Sequence, residues 1–309
     1  MNSQSNYASN SIDLEDNNTD DISAVSREGN DTAMPKVLTR EQIAYYNDNG
    51  FLFPVDAYTP AEAEALHMKF AETEKEAGEE LQKRFRVKAH LPFPWLCEVI
   101  RNSRLLDAVE DLIGPNILCW GSSFFSKNAR DPRYISWHTD SFYYGLRPPE
   151  TLSAWVAFNP STVESGCVQY IPGTHKGPPA VHEFKPHPNN LAGNGQTVVG
   201  ADESKAVHAV LEPGQAVFHH ESVVHGSGPN NADHPRVGFV IHYIAPHVRE
   251  TRIEGAMAML VRGRDTHGYW KPEPEPVEDF DAHCINVMLQ TRAQFKAATN
   301  DKVAQGIVS

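Results

Sequence analysis

The sequence predicts a mainly β fold with flanking helices, in which a β-sandwich or barrel follows an N-terminal helical layer. After residue 116 the chain divides into seven or eight short apolar or alternating runs, separated by Gly, Pro and Asn. Residues 36–115 instead show helix-start signals and apolar residues at helical spacing. Short strands with turn residues between them are typical of sandwiches and barrels, so we expect helices first and strands after them.

The first 35 residues differ in composition from the rest of the chain. They hold seven acidic residues and one arginine, are rich in Ser and Asn, and contain no apolar run. Such a segment cannot bury enough apolar surface to offset the entropy lost on ordering. We expect a disordered acidic tail over residues 1–35 and a single domain over residues 36–309, with neither a secretory signal nor a membrane span.

Charge and cysteine content narrow the classes of partner and compartment. The formal net charge is −13 at pH 7, which argues against nucleic acid or an anionic membrane as a partner. Four cysteines lie far apart without a Cys-x-x-Cys pair, at Cys97, Cys119, Cys167 and Cys284. We interpret them as buried, reduced thiols of a cytoplasmic protein. The sequence does not predict the oligomeric state.

The helical layer, residues 36–115, begins with a Thr-x-x-Gln capping box at Thr39. The first helix should stop near Gly50, and the strand Phe51–Val55 should follow. A second helix is predicted from Pro60 to about Lys83 and a third over Ser103–Ile113.

The β core, residues 116–250, is predicted from seven runs of strand-forming residues. They are Ile117–Lys127, Tyr134–Trp137, Leu152–Phe158, Cys167–Ile171, Ala206–Leu211, Ala216–His219 and Val237–Ala245. A jelly roll is the member of this class in which facing strands present ligands from distant parts of the sequence.

Two further regions have a less regular pattern. Residues 172–205 form a long polar connection, which we interpret as a lid over the site or a surface loop. In the extension, residues 251–309, we expect a stiff polyproline-like spacer at Lys271–Pro276 and a closing helix over Asp281–Lys296. Arg262 or Arg264 could reach a substrate anion at the mouth of the site, or simply contribute to packing.

A histidine and an aspartate two residues apart, His138 and Asp140, follow the predicted strand Tyr134–Trp137. On a strand, side chains at i and i+2 point to the same face, so an imidazole nitrogen and a carboxylate oxygen can converge on one metal ion. The pair is two-thirds of the 2-His-1-carboxylate triad that binds non-haem Fe(II). An isolated His-x-Asp pair is more often a surface contact, so the interpretation needs a third ligand.

His225 supplies a candidate third ligand 87 residues after His138, and Arg236 follows it after 11 residues. Arg236 opens an apolar strand and is suited to bidentate capture of a carboxylate near the metal. On sequence alone, His219 and His220 compete with His225. The complete spacing resembles that of iron- and 2-oxoglutarate-dependent oxygenases.

Several motifs together resemble the phytanoyl-CoA dioxygenase family over roughly residues 36–250. They are Phe124–Lys127, Trp137–Asp140, Leu152–Phe158, Ser165–His175 and His225–Ser227 with Arg236. Ser165–His175 is the most family-specific of these. The resemblance implies a double-stranded β-helix, which is a cupin-like jelly roll, with an N-terminal helical layer.

The resemblance also implies the roles of the site residues. The Fe(II) ligands, and hence the catalytic residues, would be His138, Asp140 and His225. The distal carboxylate of 2-oxoglutarate would be held by Arg236, helped by Ser227 and Trp155. Lys127 would support the cosubstrate or the substrate, or be an ordinary exposed lysine. The substrate side would be lined by Phe142, Tyr143 and Tyr144.

We therefore expect a dioxygenase that uses Fe(II), 2-oxoglutarate and O₂ to hydroxylate an unactivated C–H bond of a small-molecule metabolite, releasing succinate and CO₂. The alternatives are a related halogenase, a non-catalytic metal-binding or interaction protein on the same fold, and a zinc hydrolase. Asp140 argues against the halogenase, because it occupies the coordination position that chloride would need. The intact ligand set and Arg236 argue against the non-catalytic protein.

Overall fold

Two β-sheets pack face to face in the computed structural model, which describes residues 34–192 and 195–304, the last six by backbone alone. The strands are β1 (Phe51–Asp56), β2 (Ile117–Lys127), β3 (Ile135–His138), β4 (Leu146–Arg147), β5 (Leu152–Ala157), β6 (Val168–Tyr170), β7 (His182–Phe184), β8 (Gln196–Val198), β9 (Val207–His208), β10 (Gln215–His220), β11 (His225–Ser227), β12 (Arg236–Ile244), β13 (Arg249–Glu250), β14 (Met257–Arg262) and β15 (Lys271–Pro272). The predicted acidic tail lies outside the described residues except for Met34 and Pro35.

Strands that are distant in sequence lie next to each other in both sheets. The larger sheet has the order β1-β10-β5-β12-β2-β14-β15, and the smaller has the order β3-β11-β6-β9. This arrangement is a jelly roll, so the predicted fold class is confirmed. The strand boundaries of β2 match the prediction, whereas β9 is only two residues long and β11 was not predicted as a strand.

The central strands of the larger sheet are buried on both faces. In β5, Ala154 and Val156 pack against the helical layer, while Trp155 and Ala157 pack between the two sheets beside Tyr170 of β6. Alternate side chains on one strand therefore belong to two different cores. The inward-facing set on the larger sheet is the one that can meet side chains of the smaller sheet.

The helices are α1 (Arg40–Asn49), α2 (Pro60–Ala77), α3 (Leu81–Arg84), α4 (Pro94–Ile100), α5 (Ser103–Ile113) and α6 (Ala282–Ala304). The capping box at Thr39 and the boundaries of α5 are as predicted. The second helix is shorter than predicted, because Gly78 adopts a left-handed conformation with φ of 69° and ends it at Ala77. Helix α4 is not predicted from the sequence. Within the described ranges, no helix has both the length and the apolar composition needed to cross a membrane.

The long polar connection contains a β-hairpin and is not a plain loop. Strands β7 and β8 pair with each other, and the Ser136 hydroxyl of β3 donates a hydrogen bond to the Gln196 carbonyl of β8. Because β3 ends at His138, the hairpin lies beside the predicted metal motif.

The prediction of a polyproline-like spacer at Lys271–Pro276 is wrong. Lys271 and Pro272 pair with β14, and Glu273 is fully buried. One oxygen of its carboxylate contacts the Lys88 ammonium group, and the other lies 2.8 Å from His90 Nε2. A buried ion pair with a partner 185 residues away fixes this segment to the core.

Arg262 does not reach the mouth of the site, so that alternative is also wrong. Its guanidinium group pairs with Asp107 at 2.7 Å and with Glu110 at 2.9 Å, both on α5. Arg264 is exposed. The start of the extension instead fastens the segment after the metal motif, since the Thr251 backbone and hydroxyl both donate to the Gly145 carbonyl.

Candidate metal centre

The structure brings His138, Asp140 and His225 together. His138 ends β3 and His225 begins β11, and the two residues are directly paired across the smaller sheet. Thr139 keeps an extended backbone, which returns Asp140 to the side of His138, and a turn of 3₁₀-helix starts there. One ligand atom from each of the three residues lies within 4.8 Å of the others. Asp140 Oδ1 is 3.7 Å from His138 Nε2 and 3.9 Å from His225 Nε2.

Backbone carbonyls orient both imidazole rings. His138 Nδ1 donates to the Ser136 carbonyl at 2.8 Å, and His225 Nδ1 donates to the Val223 carbonyl at 3.0 Å. In a neutral ring the proton on Nδ1 leaves a lone pair on Nε2. Both Nε2 atoms therefore face Asp140 as potential metal donors.

Burial sets the protonation state of the group. Loss of solvent lowers the pKa of His138 and of His225 to about 4. Burial alone would raise the pKa of Asp140, but a hydrogen bond from His219 and the nearby imidazoles hold it well below its ordinary value. At neutral pH the site presents two neutral imidazoles and a carboxylate, the states that metal ligands require. This donor set is suited to Fe(II).

His219, an alternative third ligand in the sequence, lies next to this group. Its Nε2 atom is 3.3 Å from Asp140 Oδ2, and its Nδ1 atom is 3.0 Å from the Tyr170 hydroxyl oxygen. The next residue, His220, lies beside His175 with the ring centroids 5.4 Å apart. Among the described residues, the group able to hold a metal comprises His138, Asp140 and His225.

Two buried cations lie next to the group. Arg236, the first residue of β12, is paired with Lys127, the last residue of β2, and both are buried. The Arg236 guanidinium lies 5.1 Å from the Trp155 ring centroid and donates to the Gly166 carbonyl at 2.8 Å. Lys127 donates to the Ser227 hydroxyl, so the idea that it is an exposed lysine is wrong.

Neither cation has an acidic partner within ion-pair distance among the described residues. Burial and the charge of Arg236 lower the pKa of Lys127 to about 6. Ser227 follows His225 by two residues on β11, so the two side chains share a face about 7 Å apart along the strand. Both cations therefore contact the Ser227 hydroxyl, on the same face of β11 as the candidate ligand His225.

The aromatic residues after the metal motif take two different positions. The Phe142 ring lies 4.7 Å from the His182 ring of the β7–β8 hairpin. Tyr144 instead packs edge-on against Trp120, with the centroids 4.6 Å apart, and its hydroxyl is 3.4 Å from His242 Nε2. Tyr143 lies between them in sequence, and its carbonyl accepts a hydrogen bond from Arg252.

Sequence reasoning missed His242 and Trp120. His242 Nδ1 bonds the Ser153 hydroxyl at 2.9 Å, and its ring stacks on Trp120 at 5.4 Å. The inward position of His242 could have been predicted from the sequence, because it lies six residues after Arg236 on β12 and strand alternation puts both on the inward face. The position of Trp120 could not, since a bulge in β2 between the partners of His242 and Tyr243 changes the alternation there.

A jelly roll that holds a His-Asp-His group beside two buried cations is the arrangement expected of a non-haem iron oxygenase. The family model described as "Phytanoyl-CoA dioxygenase (PhyH)" matches residues 46–238. The chain belongs to this family, and it is an iron- and 2-oxoglutarate-dependent dioxygenase.

Known proteins similar to this chain include relatives from animals and several solved structures. A "Probable phytanoyl-CoA dioxygenase" of Caenorhabditis elegans is 26% identical over 250 residues, covering 71% of this chain and 80% of that protein. The peroxisomal phytanoyl-CoA dioxygenase of Homo sapiens is 25% identical, covering 71% and 72%. The solved structure of the non-heme monooxygenase ThoJ superposes with a TM-score of 0.74 at 32% identity, covering 85% of this chain and 99% of ThoJ. CytC3 with Fe(II) and alpha-ketoglutarate has a TM-score of 0.57 at 24% identity, covering 79% and 96%.

Proposed function

We propose that this dioxygenase hydroxylates an unactivated C–H bond of a small-molecule metabolite, consuming 2-oxoglutarate and O₂ and releasing succinate and CO₂. The observation that supports it best is the adjacency of two sites. Two buried imidazoles and a partly buried carboxylate lie beside two buried cations that have no acidic partner among the described residues. The first suits Fe(II) and the second suits a dicarboxylate.

His138, Asp140 and His225 hold the metal in this proposal. Fe(II) bound there would supply the redox chemistry that couples O₂ to the oxidation of 2-oxoglutarate. The protein's own contribution is to keep the three donors deprotonated, oriented and shielded from water. The carbonyls of Ser136 and Val223 supply the orientation.

Arg236 binds the distal carboxylate of 2-oxoglutarate, with Ser227 and Lys127 as further donors. The Nε atom of the guanidinium has no hydrogen-bond partner among the described residues, which leaves donor capacity for a carboxylate. Trp155 supports the guanidinium plane by a cation–π contact. Lys127 adds a second positive charge when it is protonated. Binding of an anion beside Lys127 would favour this protonated form and so oppose the lowering of its pKa by burial.

The carboxylate of Asp140 favours transfer of a hydroxyl group over that of a halide. With a metal bound, it would fill the coordination position that chloride would need, and its negative charge would disfavour a second anion beside it. Our proposed substrate-side residues are Phe142, Tyr143 and Tyr144, which follow Asp140 closely in the sequence. Phe142 contacts His182 of the β7–β8 hairpin, and the Tyr144 hydroxyl contacts His242.

We further propose that residues 36–309 act as one catalytic domain, because Glu273 of the extension completes a buried ion pair with Lys88 of the N-terminal layer. The four free, buried cysteines favour a reducing compartment such as the cytoplasm.

A metabolite screen tests the proposal. The protein, loaded anaerobically with Fe(II), is mixed with 2-oxoglutarate, O₂ and pooled small metabolites, and succinate is measured by mass spectrometry. We expect one pool to increase succinate well above the substrate-free level and to yield a product heavier by one oxygen atom. The Asp140→Ala variant is the control and should give neither. A product with chlorine in place of hydroxyl, formed in excess chloride, would contradict hydroxylation.

A further inference from the structure

The two oxygens of the Asp140 carboxylate face different partners. Oδ1 points towards the Nε2 atoms of His138 and His225, at 3.7 and 3.9 Å. Oδ2 points away from them and lies 3.3 Å from His219 Nε2. His219 is 3% exposed and is not part of the three-residue metal group. Its contact with Asp140 therefore needs a separate explanation.

Hydrogen-bond chemistry fixes the direction of this contact. An ionised carboxylate can only accept, so His219 Nε2 must carry a proton and donate it to Oδ2. In the neutral ring, Nδ1 then carries the lone pair and can only accept. The Tyr170 hydroxyl oxygen lies 3.0 Å from Nδ1 and donates to it when the ring is neutral. A directed chain runs from the Tyr170 hydroxyl through His219 to Asp140.

The chain joins the two sheets. His219 belongs to β10 of the larger sheet, whereas Tyr170 belongs to β6 of the smaller sheet and pairs with His225. The fully buried Tyr170 ring stacks on Phe51, at 4.9 Å, and on His225, at 5.7 Å. These two ring contacts restrict the position of the hydroxyl, which in turn holds one tautomer and one orientation of His219.

We propose that His219, held by Tyr170, is a positioning residue that occupies Asp140 Oδ2 and limits this carboxylate to one-oxygen contact with the metal. The inference rests on the proposed metal-ligand roles of His138, Asp140 and His225. A carboxylate that bound through both oxygens would use two coordination positions. Three protein donors in single contact leave three positions open, as the 2-His-1-carboxylate arrangement requires for a chelating cosubstrate and O₂.

Fe(II) affinity measured by anaerobic calorimetry, with metal alone and no cosubstrate, tests the proposal. His219→Leu removes the donor and should weaken binding about 10- to 100-fold, the usual effect of losing a partner that orients a metal ligand. His219→Gln keeps an N–H donor and should stay within about threefold of the unaltered protein. Tyr170→Phe should weaken binding about fivefold, the effect of one neutral hydrogen bond.

A double variant separates positioning from general damage. If Tyr170 acts only through His219, adding Tyr170→Phe to His219→Leu should weaken Fe(II) binding no further. Additive losses would overturn the chain. Tyr243→Phe is the matched control, because Tyr243 is equally buried and its hydroxyl bonds the Ile100 carbonyl at 2.8 Å, away from the metal group. It should leave Fe(II) affinity unchanged.

Three further outcomes are decisive. If His219→Leu does not fold, the comparison of Tyr170→Phe with Tyr243→Phe decides, and equal Fe(II) affinities would overturn the proposal. Pulsed EPR of the Cu(II)-loaded protein should count two bound imidazoles with and without His219. Loss of one imidazole in the variant would make His219 a ligand and also overturn it. Failure of the unaltered protein to bind Fe(II) would contradict the proposed function itself.

Discussion

Replacing Arg236 with Gln tests the proposed cosubstrate site. Arg236 has no acidic partner among the described residues, so the substitution does not leave a buried carboxylate unpaired. In the native protein Arg236 donates to the Gly166 carbonyl at 2.8 Å and lies over Trp155. The substitution removes a buried positive charge and leaves the Gly166 carbonyl without this donor, two effects of opposite sign on stability. We therefore expect the free energy of unfolding to change by no more than about 1 kcal/mol, while 2-oxoglutarate binding falls sharply.

The size of the loss follows from the contacts around Arg236. Hydrogen bonds to a charged group contribute about 1.5–3 kcal/mol, and removing a buried charged partner can cost about 2–5 kcal/mol. Lys127 offsets part of this. Its pKa is lowered to about 6 by burial and by the charge of Arg236, so removing that charge leaves more of Lys127 protonated at pH 7. We expect about 2–3 kcal/mol, which is about a 30- to 150-fold higher Kd for 2-oxoglutarate.

Anaerobic calorimetric titration of 2-oxoglutarate into the Fe(II)-loaded protein measures this effect. Arg249→Gln removes an equivalent charge from an exposed position on β13 and is the matched control, for which we expect native affinity. Fe(II) content should be native in both variants. An unchanged 2-oxoglutarate titration in Arg236→Gln would refute the assignment, and a parallel loss of Fe(II) would show that the residue supports the metal group instead.

Three other predictions follow from buried charges. Glu273→Gln should lower the free energy of unfolding, measured by urea titration, by about 3–5 kcal/mol. Glu275→Gln, at a half-exposed ion pair with Arg101, is the control and should lower it by less than about 1 kcal/mol. Equal losses would contradict the importance of the buried pair. The metal-free protein should lose stability as the pH falls from 6.5 to about 4, since His138 and His225 have a pKa of about 4 when folded and the unfolded chain binds more protons in that window; unfolding curves that coincide at pH 7 and 5 would oppose this. Asp140→Ala should abolish hydroxylation and weaken Fe(II) binding, and full hydroxylation by the variant would overturn its ligand role.

Features encoded by neighbouring residues could be predicted from the sequence. The Thr39 capping box and the end of α5 at Gly114 depend on contacts within a few residues. The second helix was overestimated because Gly78 is a helix terminator that lies inside an otherwise continuous helical pattern. The His138 and Asp140 pair was also predictable, since the extended backbone at Thr139 is a local property.

Features that depend on distant contacts could not be predicted in this way. Glu273 belongs to a Pro-Glu repeat that has the composition of an exposed spacer, yet its partner Lys88 is 185 residues away. His219 and His220 are equivalent in the sequence, and only the packing of β10 against the smaller sheet brings His219 to Asp140. Lys127 has no local sign of burial, because its environment is created by Arg236 and Ser227 on other strands.

The family match covers the candidate metal centre but only some of the residues that pack around Tyr144. His138, Asp140, His225 and Arg236 all lie within residues 46–238, the range matched by the family model. The apolar cluster that packs around Tyr144 consists largely of residues after that range. His242 bonds the Tyr144 hydroxyl, and Trp270 and Phe295 pack in the same apolar cluster. The family model therefore covers the candidate metal and cosubstrate residues, whereas much of the cluster around Tyr144, one of our proposed substrate-side residues, lies beyond the matched range. For this reason, exchange of residues 239–309 between two members of the family would be expected to alter substrate preference, measured by substrate-dependent succinate formation, while leaving the affinity for 2-oxoglutarate unchanged.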